Sequence, residues 1–313
     1  MNAADRQLRG IACIVVAVCF FSLQDAAIKW LSGSYPLHEI ILIRASVAAL
    51  IIGFVIYLEG GRKILATTRP GLHLARGLLI LGANSCFFLA LAAMPLAEAM
   101  ALFFVAPLFI TALSALMLGE YVGPRRWFGV ALGLVGVLIV LRPDPSEFRL
   151  VGLLSVGAAF CYAFMQMITR RLGVTDRAST MAFYVQITFI VASTTMGLTV
   201  GDGRFEPTDN PSLSFLLRAW VSPPSTDAVI LGGIGILSAI GAYFMSQAYR
   251  LSEAAVVAPF EFVALLLAIL WGYLFFAELP DRQAAFGMAL IITSGLYVLY
   301  RQTKYRKASR NEP

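Results

Sequence analysis

Long apolar runs separated by short polar punctuation make up almost the whole chain. Ten runs approach the length that crosses a hydrocarbon core, about 20 residues at 1.5 Å of rise each. They cover 10–31, 37–57, 74–93, 97–118, 127–141, 150–170, 179–200, 228–249, 254–276 and 283–300, and the fifth is short for a span. The breaks carry Pro, Gly and charge, as in SGSYP, EGGRK, GEYVGPRR, RPDPSE and ELPDR. One run is interrupted where lipid would not tolerate it. In FFSLQDAAIKWLSG, residues 20–33, Asp25 sits inside an apolar helix with Lys29 one turn later.

Composition agrees with spans rather than buried core helices. Of 313 residues, 59% are hydrophobic and 13% are charged, against roughly 45–50% and 25% in a soluble domain. Too few charges remain to cover a soluble surface, so the chain reads as an all-α integral membrane protein. The net charge of +6 needs no nucleic acid, because basic residues at loops set membrane orientation. Seventeen of the 24 Lys and Arg residues fall on the side of the N-terminus, six on the other side, and Arg44 lies within a span. That asymmetry predicts both termini in the cytoplasm. Arg6 and Arg9 precede the first run as in a signal peptide, but no small-x-small site follows, and the run is read as a mature helix. Cys13, Cys19, Cys86 and Cys161 all lie in apolar runs and read as free packing thiols. The longest outer loop, 201–227, contains SLSFLLRAWV, which fits a short helix lying along the interface. Trp30, Tyr57, Trp127 and Tyr300 fit interfacial belts.

The sequence also repeats. At a shift of 142, Gly10 falls on Gly152, Cys19 on Cys161, Gln24 on Gln166 and Lys29 on Arg171. At 155, LAEA (96–99) falls on LSEA (251–254), and at 158 Glu120 falls on Glu278 and Gly129 on Gly287. Five spans per half is an odd number, so the second copy is inverted. The expected organisation is a first repeat over 1–145, a second over 146–302 and a basic tail over 303–313. Inverted repeats are common in secondary transporters, with the solute held near the midplane between halves.

These residues resemble a family. FFSLQDAAIKWLSGSYP with Arg44 in the next span, and PLAEAMALFFVAPLF followed by GE, are similar to EamA-type members of the drug/metabolite transporter superfamily. The resemblance covers almost the whole chain. It implies a central cavity walled by spans 1, 3, 4, 6, 8 and 9, with spans 5 and 10 packed to one side. It further implies transport of small metabolites in an inner (plasma) membrane. Aromatic-amino-acid exporters of the YddG type are the nearest likeness in this reading.

Ionisable groups in a span are costly, about 2.5–3.5 kcal/mol at a helix centre by insertion scales, and must face protein or water. Asp25 and Arg44 lie at matching depth on neighbouring spans, about 9–10 Å from the outer rim by helix rise. The expectation is that they pair, with Lys29 sharing the carboxylate. In the second half their positions are Met167 and Gln186, so both charges are absent together. The pair is either a structural latch or a group that engages substrate or a coupling proton. Gln24 and Gln166 either bond between helices or meet a ligand, as do Asn84 and Gln247. Glu98 and Glu253 sit in first helical turns, where the dipole favours them. Glu261, with no ionic partner near it in sequence, is the candidate for proton coupling or amine binding. Pro107 and Pro259 fall in the corresponding fourth and ninth spans and are expected hinges or static kinks. Phe88, Tyr162 and Tyr243 belong to an aromatic group that either packs or walls the cavity. Gly129 and Gly133 form GxxxG, which implies close packing or a dimer contact.

Rival functions have weaker support. No HExxH, GxSxG, CxxC or P-loop motif is present, and His38 and His73 fall near span ends. A channel filter or an attached signalling domain is not evident either. The expectation is therefore a secondary transporter, not an enzyme, without cofactor or metal. It would export a small organic solute, an amino acid or related amphipathic molecule, with uptake of a vitamin or nucleoside-like metabolite as the alternative. Its partners would be solute and lipid bilayer, not nucleic acid, as monomer or homodimer.

Overall fold

A computed structural model describes residues 3–119, 122–142, 150–172, 177–206, 209–252 and 254–310. Glu120, Arg149, Glu253 and the expected boundary between the halves lie outside the described residues. The helices are α1 (Ala3–Leu31), α2 (Leu37–Glu59), α3 (Pro70–Leu91), α4 (Leu96–Phe103), α5 (Ala106–Leu118), α6 (Pro124–Leu141), α7 (Gly152–Leu172), α8 (Ala178–Val200), α9 (Pro211–Leu217), α10 (Ser225–Leu251), α11 (Ala254–Val257), α12 (Val263–Phe276) and α13 (Arg282–Arg310). Ten stretches among the described residues are long and apolar enough to cross a membrane. Proline opens several of them, in the first turn of α3 and α6 and just before α2 and α10. There its missing N–H costs nothing and its fixed φ favours the helix.

Two spans are broken. The fourth consists of α4 and α5 with a turn at Phe104 and Val105, and Pro107 lies in the first turn after the break. The ninth runs through α11, a 3₁₀ segment Ala258–Phe262 carrying Pro259, and α12. Phe104 and Phe262 stack at the two breaks, ring centroids 4.7 Å apart.

Packing relates the halves. The first span packs on the eighth (α1 on α10), the third on the sixth (α3 on α7), the second on the seventh (α2 on α8) and the fifth on the tenth (α6 on α13). Exchanging the halves turns the first of these pairs into the second and leaves the other two unchanged. Every major contact therefore joins one half to the other. Lipid offers no hydrophobic drive for helix pairing, so small residues and close backbone approach supply it. Along α6, Gly129, Gly133 and Gly136 face α13. A Cβ on Gly136 would stand 2.8 Å from the Gly287 carbonyl oxygen, and one on Gly287 would stand 2.9 Å from that of Gly136. The GxxxG stripe is thus occupied within the chain.

The 201–227 loop forms a short helix over part of the expected stretch, and this α9 packs against α2 and α3. Phe215 is fully buried, and Ser212 Oγ donates to the Leu89 carbonyl at 2.7 Å. The loop is held by further polar ties: Arg218 to the Ser32 carbonyl (2.9 Å), the Tyr35 hydroxyl to Asp227 (2.6 Å) and the Val221 N–H to Glu39 (3.3 Å). Trp30, Tyr57, Trp127 and Tyr300 are all exposed on the outside of the bundle.

Candidate functional site

A cavity of about 780 Å³ occupies the centre. Spans 1, 3, 4, 6, 8 and 9 supply most of its wall. Spans 2 and 7 add Arg44, Gln186 and Phe189, span 10 adds only Leu299, and span 5 adds nothing. Two pairs matched by the 142-residue shift, Gln24 with Gln166 and Arg44 with Gln186, line it together.

One polar corner lies toward the face opposite the termini. Asp25, six residues before the end of α1, accepts from Gln24 Nε2 at 3.3 Å. Arg44, seven residues into α2, donates Nη2 to Asn84 Oδ1 at 3.0 Å, and Asn84 in turn donates to the Ile80 carbonyl. The guanidinium also lies over Phe88 and Phe189, 5.5 and 5.2 Å from their centroids. Asp25 and Arg44 are both buried and attract one another, but no direct ion pair joins them. The expected pairing is corrected accordingly: Asn84 and two rings take the guanidinium, and the amide of Gln24 takes the carboxylate. Gln24 Oε1 is buried without a hydrogen-bond partner.

Lys29 is the second correction. It leaves Asp25 and donates to both Glu278 oxygens at 2.9 Å and to the Met94 carbonyl at 2.7 Å. Glu278 Oε2 also accepts the Leu96 N–H at 3.2 Å. Lys29 is one turn nearer the rim than Asp25, level with the turns that precede α4 and follow α12. One ammonium thus clamps three span ends at the far face. The turn after α12 is made by Ala277 at φ 53°, with the Glu278 N–H reaching back to the Gly272 carbonyl at 3.0 Å. Its counterpart at the 158-residue shift is Gly119, at φ 65°.

The other corner lies toward the face that carries the termini. The Tyr249 hydroxyl donates to Glu261 Oε1, and Gln166 Nε2 donates to the Tyr162 oxygen at 2.8 Å. All four line the cavity, as do Thr169 below them and Pro107 and Phe88 above. Tyr243 and Gln247 do not. On α10 the cavity face holds Met245 and Tyr249, four residues apart. Tyr243 and Gln247 stand two residues away from these, about 200° around the helix, so they point elsewhere. Pro259 sits in the broken segment without lining the cavity. Tyr249 was missed in sequence because a tyrosine at a span end looks like a belt residue.

Residues 8–142 match the model of the EamA-like transporter family. Relatives extend the likeness across both halves. The S-adenosylmethionine uptake transporter of Rickettsia prowazekii is 25% identical over 97% of this chain and 96% of that protein. The riboflavin transporter of Vibrio cholerae is 28% identical over 99% of each. The pseudopaline exporter of Pseudomonas aeruginosa is 29% identical over 91% of this chain and 94% of that protein. A solved structure superposes with a TM-score of 0.62 at 19% identity, over 96% of this chain and 99% of its own, and shows the same fold. The chain thus combines, among its described residues, ten stretches long and apolar enough to cross a membrane with a likeness, over nearly its whole length, to proteins named as transporters. None of these three names is that of an aromatic-amino-acid exporter, so that finer likeness gains no support from them.

Proposed function

We propose that this chain is a secondary transporter that carries one small amphipathic organic metabolite across the inner membrane by alternating access, with both termini cytoplasmic. The carrying observation is the central cavity. Its volume of about 780 Å³ falls within the roughly 300–1,000 Å³ of small-molecule sites, and its wall mixes rings with a few polar groups. Asp25, Arg44, Gln24 and Asn84 would meet the solute at one end, and Tyr162, Gln166 and Glu261 at the other. The far face is clamped by Lys29 with Glu278 and covered by the 201–227 loop. Transport would release that clamp as one half rocks against the other. Pro107 and Pro259, at the two broken spans, are the proposed bending points.

An amino acid or related solute suits a wall with carboxylates, a guanidinium and rings. A second reading, uptake of a vitamin-like or nucleoside-like solute, is supported by the names of the Rickettsia and Vibrio relatives. The pseudopaline exporter supports the outward direction. Counterflow in proteoliposomes loaded with labelled amino acids, nucleosides, S-adenosylmethionine or riboflavin tests these together. Saturable exchange competed by one class is the expected outcome, and uptake that no solute saturates or competes would end the carrier reading.

A further inference from the structure

The formal charge of the cavity wall does not balance. Among the residues that line it, Asp25, Arg44 and Glu261 are ionisable as acids or bases at neutral pH. Two carboxylates therefore face one guanidinium. Arg44 attracts Asp25 at the far corner. Glu261 lies at the other corner, where the groups acting on it among the described residues are the hydroxyl of Tyr249 and, more weakly, that of Tyr162. Neither brings a positive charge; Arg76, half-buried behind the wall, acts on Tyr162 and gives its N–H groups to Thr169 and to the Met181 carbonyl rather than to Glu261. An uncompensated carboxylate at this depth is expensive. Its surroundings suit an organic cation, because the rings of Tyr162, Phe104 and Phe262 line the same space and aromatic faces attract cationic groups.

We infer that the solute carries one more positive than negative charge and seats its cationic group against Glu261 and Tyr249. The inference rests on the carrier reading and narrows its substrate class to organic cations and cation-rich zwitterions. Glu261 is thereby the residue that selects for charge, and Tyr249 positions its carboxylate.

Two matched probe series test this with the full-length protein in lipid nanodiscs. One is tryptamine, tryptophan, tryptophol and indole-3-propionate; the other is phenethylamine, phenylalanine, 2-phenylethanol and 3-phenylpropionate. Within each, the ring is constant and the charge changes. Binding is read by thermal shift. The amine of each series is expected to bind about tenfold or more tighter than its alcohol, a difference of about 1.4 kcal/mol. Glu261→Gln should level that ranking by weakening the amine, and Glu261→Asp should keep the preference. Ligand-free protein supplies a readout that needs no probe. Glu261→Gln should raise its Tm, because an unbalanced charge is removed, whereas loss of a merely structural hydrogen bond would lower it. A wild-type ranking in which alcohol or acid matches the amine would overturn the inference, as would a lower Tm for Glu261→Gln. Both results leave the carrier reading standing. That reading falls separately, if no solute class exchanges in counterflow.

Discussion

Arg44 gives its Nη2 to Asn84 and its faces to Phe88 and Phe189, with Asp25 opposite and unbridged. Each charge compensates the other across the cavity, so removing one strands the other. Asp25→Asn and Arg44→Met should each lower Tm, by an amount corresponding to a few kcal/mol, about 3–5 for a fully buried pair. The double variant should be more stable than either single one, and thermal unfolding of the four proteins in detergent completes the cycle. Tyr35 gives a prediction in pH. Its hydrogen bond to Asp227 is the main cause that pushes its hydroxyl from 10.0 up to about 12, burial and the nearby carboxylates adding to it. A raised folded-state value means the stabilisation is complete below about pH 10 and is lost as pH rises toward about 12. Alkaline unfolding should therefore show a loss in this window that Tyr35→Phe lacks. Asp25, Arg44 and Glu261 were legible in the sequence, because ionisable groups in an apolar run have to face protein or water. Their partners were not. Lys29 meets a glutamate 249 positions away, and nothing local distinguishes that choice from the carboxylate one turn back. On α10 the amide and the aromatic ring suggested Gln247 and Tyr243, yet rotation about the helix axis selects Tyr249.

At the level of elements, the ten spans follow the hydropathy pattern closely. The second begins at Leu37 and the fifth ends at Leu141, as their punctuation implied. The breaks in the fourth and ninth spans were marked only by Pro107 and Pro259. Proline alone does not distinguish a kink from an interruption, and the stacked Phe104 and Phe262 lie far apart in sequence. The turn after α12 gives a test of strain. Ala277 occupies a left-handed conformation that costs a residue with a Cβ about 1–2 kcal/mol, where Gly119 serves the first half. Ala277→Gly should relax the backbone and raise Tm without loosening Lys29 from Glu278. The opposite expectation holds on α6. Gly136→Leu would push a side chain into the Gly287 backbone, which cannot rotate aside. Overpacking of this kind costs about 1–3 kcal/mol or more, and monodisperse yield on size-exclusion chromatography should drop sharply.

For the whole molecule, the asymmetry of basic residues and the Lys29–Glu278 tie at the span ends are independent features. If both termini are cytoplasmic, a C-terminal fluorescent fusion should glow and a C-terminal alkaline phosphatase fusion should be silent; the reverse would invert the proposed topology. The pairing of spans 1 with 8, 3 with 6, 2 with 7 and 5 with 10 also bears on biogenesis. When the ribosome has released only the first five spans, each lacks its principal neighbour, and the α6 glycines have nothing to close against. The nascent half must wait in the bilayer, guarded by the insertion machinery or exposed to quality-control proteases. Expressed as two polypeptides divided between α6 and α7, neither fragment should accumulate alone, while co-production should yield a stable complex. On that outcome the two halves would count as separate assembly partners carried on one polypeptide.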